Sequence, residues 1–136
     1  MIFSIIKKQI WFNFLAAWLF LIAAWTILIK FIFPIIYSIN YNESVFSFIM
    51  WDFWWIAHIW LGYSLLNISR YTFYVGVIIS IFELFIILIK LYWFFLLPEW
   101  SIWNTNWMIN KIIVLILFIF IIITLIINKD KFLKKL

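Results

Sequence analysis

Residues 112–127 read IIVLILFIFIIITLII, a run with no charged side chain and one hydroxyl. A strand crossing a membrane alternates apolar and polar residues over about ten positions. This run does not alternate, and it continues for longer. In water its β-branched isoleucines would weaken a helix. In hydrocarbon the backbone must bond to itself, and the helix is the form that does so within one segment. Three further stretches have the same character, and together they predict apolar helices at about 10–33, 45–66, 73–97 and 108–127. Each has the length of the ~30 Å hydrocarbon core. The fold expected from the sequence is an all-α, four-transmembrane-helix bundle forming a single transmembrane domain over residues 1–136.

Composition agrees, with 70% hydrophobic and 11% charged residues. A soluble chain of 136 residues has too high a surface-to-volume ratio to hide that much apolar area. The absence of cysteine excludes disulfides, zinc–thiolate sites and iron–sulfur clusters. The residue usage (rich in Ile, Phe, Asn and Lys, with Gly 2 and Pro 2) follows A- and T-rich codons. Trp at 11 is out of line with such a bias unless UGA is read as Trp. That code is common in mitochondria, and the expected setting is a mitochondrially encoded, multi-pass inner-membrane protein.

Pro34 is expected to end the first helix, and Asn40, Asn42, Glu43 and Ser44 to form the following loop. Residues 67–72, NISRYT, make a tight connection, and Pro98, Glu99, Ser101, Asn104 and Asn106 a longer one. Four spans place both termini on one side, with Lys7, Lys8, Arg70, Lys129, Lys131, Lys134 and Lys135. The opposite side holds Lys30, Lys90 and Lys111 at helix ends, so both termini are expected on the matrix or cytoplasmic face. The net charge of +5 thus reads as topology and lipid contact rather than nucleic-acid binding. Trp51, Trp54, Trp55, Trp93, Trp100, Trp103 and Trp107 would gather near the outer interface, and Trp11 near the inner one. On helix one, Ala16, Ala17, Ala23 and Ala24 would admit a neighbouring helix.

His58 is the only histidine and falls mid-segment, where an ionisable ring is costly unless partnered. One reading is a hydrogen-bonded structural histidine, and the other is an axial haem ligand. A lone histidine cannot supply both axial ligands, so a haem b would be shared with a partner chain. Gly62, one turn on, suits either a flat macrocycle or close helix packing. Arg70 and Tyr71 lie about 18 Å further along a continuous helix. They would bond a quinone carbonyl or a haem propionate, or else anchor the helix at the interface. Glu83 would pair with a cation or act as a proton-relay carboxylate, and Asp52 would sit hydrated near the outer edge. The chain lacks the side chains for independent catalysis.

The segment AHIWLGYSLLNISRY, residues 57–71, resembles the small membrane-anchor subunits of succinate dehydrogenase, respiratory complex II. That family has a haem-ligating histidine, a glycine four residues later, and an Asp-Tyr pair near the matrix end of the helix. His58 and Gly62 match the first two, Tyr71 falls one residue late, and Arg70 stands where the family has Asp. The family has three spans, against the four expected here. The resemblance implies a non-catalytic anchor. His58 would ligate the iron of a shared haem b, with Gly62 beside it, and Arg70 and Tyr71 would line a ubiquinone pocket. Its partners would be the membrane and matrix subunits of a respiratory complex, and lipids. Two other classes stay open. One is a supernumerary structural subunit of complex I, complex IV or ATP synthase, without its own cofactor. The other is a small transporter built around Glu83.

Overall fold

The structure, a computed structural model, describes the backbone of residues 2–134 and the side chains of residues 9–102, 104–130 and 132–133. The side chains of Lys7, Lys8, Trp103, Lys131 and Lys134, and all of Lys135, lie outside the described residues. The chain is all-helical, with no strand among the described residues. Among the described residues three helices are long and apolar enough to cross a membrane: Gln9–Asn40, Arg70–Leu96 and Asn104–Ile127. Two compact units divide at Leu66.

In the first unit α1 (Ile2–Ile27) runs through a π-helical turn (Leu28–Ile32) into α2 (Phe33–Asn40). Pro34 therefore does not end the first helix, contrary to its usual reading. The π turn absorbs it, with the Phe33 N–H reaching back to the Leu28 carbonyl. Pro34 has no N–H for the Lys30 carbonyl four residues earlier. The Met50 N–H takes that carbonyl instead, at 3.0 Å. The helix stops at Asn40, where the Tyr41 N–H bonds to the Tyr37 carbonyl and Asn42 adopts a left-handed φ of 53°. Asparagine tolerates that conformation better than most residues.

The predicted helix over 45–66 is broken. It consists of the single turn α3 (Val45–Phe48), a non-helical stretch at 49–53, and α4 (Trp54–Leu66). With 13 residues, α4 is about 20 Å long and does not itself match the hydrocarbon core. Hydropathy cannot distinguish an extended apolar stretch from a helical one, and the expectation of one continuous helix failed for that reason.

The α1–α4 contact is the core of this unit. Phe12, Leu15, Ala16, Leu19, Ile22 and Ala23 are buried on α1, spaced by threes and fours as in a helix seam. On α4 the buried set is His58, Leu61, Gly62 and Leu65. Of the four alanines, Ala16 and Ala23 are buried while Ala17 and Ala24 are exposed, so each small pair gives one member to the packing. In lipid, van der Waals fit rather than expulsion of water holds such a seam together.

The second unit comprises α5 (Arg70–Leu96), α6 (Ile102–Ile127) and the short α7 (Lys129–Lys134). α5 begins three residues before its hydropathic start because Ser69 and Thr72 form a reciprocal capping box. The Ser69 N–H donates to Thr72 Oγ1 at 3.0 Å. α6 likewise begins early, with Ser101 Oγ accepting from the Asn104 N–H at 3.1 Å. Val114, Leu117, Phe118, Ile121, Thr124 and Leu125 form the buried stripe of α6. α7 adds Phe132, whose ring centroid lies 6.5 Å from that of Phe73.

Candidate functional site

His58 is 5% exposed and is carried on α4 with Gly62 one turn later, as expected from their spacing. The environment of Gly62 clarifies that face. A Cβ built on Gly62 would meet the Phe20 ring at 2.8 Å, so the aromatic edge of α1 fills the volume the missing side chain leaves. Gly62 is thus a packing residue in the α1–α4 seam. The residues do not present an open cradle for a macrocycle there. His58 offers the right donor chemistry for haem iron, but the glycine face beside it is occupied by Phe20.

This packing has a graded consequence. Gly62→Ala should cost about 1 kcal/mol or less, because the atoms it meets are the swinging end of one ring. Gly62→Leu should cost about 1–3 kcal/mol by overpacking, and adding Phe20→Ala should recover part of it. Unfolding of the single and double variants in mixed micelles measures the recovery. Purely additive losses would show that the ring does not occupy the Gly62 face.

Arg70 and Tyr71 open α5, in the other unit, and both are exposed. The continuous helix assumed between His58 and Arg70 is interrupted, since residues 67–69 are non-helical. The Arg70 guanidinium lies 5.9 Å from the centre of the Tyr71 ring, a cation–π distance. Side chains so disposed suit an interface between membrane and water. They also leave the guanidinium and phenol within reach of a polar headgroup or carbonyl.

A polar cluster that the sequence reading did not assemble lies at the break in the first unit. Lys30 is not at a helix end but inside the π turn, and Asp52 is not simply hydrated. The Lys30 Nζ donates to Asp52 Oδ2, with both side chains half-buried. Asp52 Oδ1 in turn accepts from the Trp54 N–H at 2.9 Å, which caps the start of α4. Lys30 thus holds the returning chain twice, by its carbonyl at Met50 and by its ammonium at Asp52. The legible signal was a proline four residues after a lysine, with one acid placed to return beside it. Next to the pair in sequence, Phe31 packs with Trp51, Phe53 and Trp55 at ring-centroid distances of 6.0–6.4 Å. A second aromatic group, Phe94 with Trp100 and Trp107, marks the α5–α6 turn. Of these rings, Trp51, Trp55, Trp100 and Trp107 belong to the set expected near the outer interface.

Glu83 lies in the middle of α5 and is 4% exposed, so the carboxylate expected mid-span is enclosed rather than lipid-facing. Lys90, two turns on, is exposed. No grouping of three or more metal-ligating side chains occurs among the described residues. No family model matches the sequence, and no curated protein or solved structure matches it.

Proposed function

We propose that this chain is a non-catalytic, membrane-embedded subunit of a multi-subunit respiratory complex of the mitochondrial inner membrane. The observation that supports it is the exposure of the spans. Within the chain, 17% of the first span window and 33% of each of the other two are buried. The remaining faces are apolar and aromatic, with Trp25, Phe85, Tyr92 and Trp93 among the exposed rings. Lipid and neighbouring subunits are the surroundings that such faces need.

The specific form favoured by the resemblance is the anchor of succinate:ubiquinone oxidoreductase. In it His58 is one axial ligand of a haem b shared with a partner subunit, and Arg70 and Tyr71 contact ubiquinone. The placement of the single histidine within an apolar helix supports it, because ligation compensates an imidazole in such surroundings. Four spans with both termini on the matrix side belong to this reading. The second reading is a structural subunit of complex I, complex IV or ATP synthase without a cofactor. The Phe20 ring over Gly62 favours it, because packing alone then accounts for the glycine.

Reduced-minus-oxidised absorption of the purified native complex separates the two. Under the anchor reading a b-type band is present and is lost in His58→Ala, while Gly62→Ala keeps it. A complex that contains the chain and shows the same spectrum with and without His58 leaves the structural subunit.

A further inference from the structure

Trp11, Trp18 and Trp25 recur every seven residues along α1, and Ala17 and Ala24 stand directly before the second and third of them. Seven residues are close to two helical turns, so the three rings share one face, with Phe14 and Leu21 between them. That face is not the one that meets α4, whose buried residues are Phe12, Leu15, Ala16, Leu19, Ile22 and Ala23. Trp11, Phe14, Leu21 and Trp25 are 37%, 51%, 70% and 52% exposed, and Ala17 and Ala24 are exposed beside them. The outward face of α5 shows the order that lipid selects. Tyr71 and Tyr74 stand at one end and Tyr92 and Trp93 at the other, with Ile78, Ile81, Phe85 and Leu88 between, so the rings with a polar edge lie towards the ends. α1 departs from that order. Residues 9–29 are uncharged and match the ~30 Å core, with Trp18 near the middle. An indole N–H prefers the interface, and an alanine before each inner tryptophan leaves a notch beside a large ring. Lipid chains impose no seven-residue register, whereas a neighbouring helix does.

We propose that this face of α1 pairs with the same face of a second copy of the chain. Two copies with one orientation in the membrane are related by a twofold axis along its normal, so their α1 helices run parallel. In a parallel pair with a seven-residue repeat, a side chain at a tryptophan position inserts beside the residue that precedes the matching tryptophan on the other helix. For the two inner rings those residues are Ala17 and Ala24. The face therefore carries both the knobs and the space that receives them, at one interval, which is the self-complementarity a twofold contact requires. A face of tryptophans alone would call for a different helix, rich in small residues. The area agrees. The exposed parts of Trp11, Phe14, Leu21 and Trp25 come to about 450 Å² in each copy, so a pair covers about 900 Å² before Trp18 is counted, against about 1,000 Å² for a specific interface. This inference is independent of haem or quinone, since none of these residues belongs to the α1–α4 seam that holds His58.

The test is disulfide cross-linking of the full chain reconstituted in phosphatidylcholine vesicles. The sequence has no cysteine, so a single introduced cysteine reports only on contact between copies. Phe14→Cys and Leu21→Cys lie on the seam, where the backbones of a close parallel pair come within disulfide reach. Asn13→Cys and Ile27→Cys lie about a third of a turn away. On mild oxidation a covalent dimer is expected at positions 14 and 21, and about tenfold less of it at 13 and 27. Ala17→Leu fills the notch and should lower the dimer yield of Leu21→Cys about tenfold, the order of overpacking one site. Adding Trp18→Leu should restore part of that yield. Ala17 lies outside the α1–α4 seam, so the substitution leaves the packing within each copy in place. Equal yields at all four positions would show random collision of lipid-facing helices and overturn the pairing. No dimer at 14 or 21, even at a high ratio of protein to lipid, would show that another helix covers the face and would also overturn it. An unchanged yield in Ala17→Leu would overturn the register on which the proposal stands.

Discussion

Replacing Lys30 by Met is expected to destabilise the helical hairpin of the first unit by about 3 kcal/mol, the order of one charge left uncompensated at membrane depth. The cause is not the loss of an attraction between two hydrated groups, which at a protein surface is worth little. Lys30 and Asp52 are half-buried against each other, next in sequence to Phe31, Trp51 and Phe53. Without the ammonium, Asp52 keeps its bond to the Trp54 N–H but loses its counter-ion. The aspartate variants separate these contributions. Asp52→Asn keeps an acceptor for Trp54 and removes the charge, whereas Asp52→Leu removes both and should cost about 1 kcal/mol more, the value of a helix cap. The double variant Lys30→Met with Asp52→Asn should lose less than the sum of its parts, with a coupling of about 1–3 kcal/mol. Unfolding in mixed micelles by a denaturing detergent measures all four proteins. Additive losses would mean that the two side chains do not form a pair in lipid.

The apolar helices were legible from the sequence because lipid removes the alternatives. Once 112–127 cannot be a strand, little else is left for it. Their ends were less legible, for reasons that can be traced to particular residues. Ser69 with Thr72, and Ser101, extend α5 and α6 upstream by capping them with hydroxyls, which hydropathy does not register. Pro34 looked like a terminator, yet a π turn accommodates it and transfers the freed Lys30 carbonyl to a residue 20 positions later. Gly62 shows the same limit at the candidate site. Its spacing from His58 was evident, but the two explanations for it differ only in what lies opposite. That neighbour, Phe20, is 42 positions away in the sequence. His58 and Glu83 were conspicuous as ionisable residues within apolar runs, and both are buried. The Lys30–Asp52 pair is not legible in the sequence because each residue alone resembles an interfacial anchor.

Single cysteines at Glu43 and Asn67 are expected to react with a membrane-impermeant maleimide from opposite sides of the membrane, an all-or-none difference. The chain contains no native cysteine, so each variant gives a signal without background. Glu43 is preferred to Asn42, whose left-handed φ of 53° would strain a cysteine. The prediction follows from lengths. α4 supplies about 20 Å, and the five residues 49–53, if extended, supply about 16 Å more. Together they exceed the ~30 Å core, although neither does so alone. Backbone outside a helix survives at that depth only where its polar groups find partners. Here the Met50 N–H bonds to the Lys30 carbonyl, the Trp54 N–H to Asp52 Oδ1, and the Ile56 N–H to the Phe53 carbonyl. The polar residues Asn42, Glu43 and Ser44 precede the segment, and Asn67, Ser69 and Arg70 follow it, as the two ends of a crossing require. Labelling of both cysteines from one side would instead make 49–66 a re-entrant arm lying against α1. The chain would then cross three times, its termini would lie on opposite faces, and the assignment of Arg70 and Tyr71 to the matrix side would have to be abandoned.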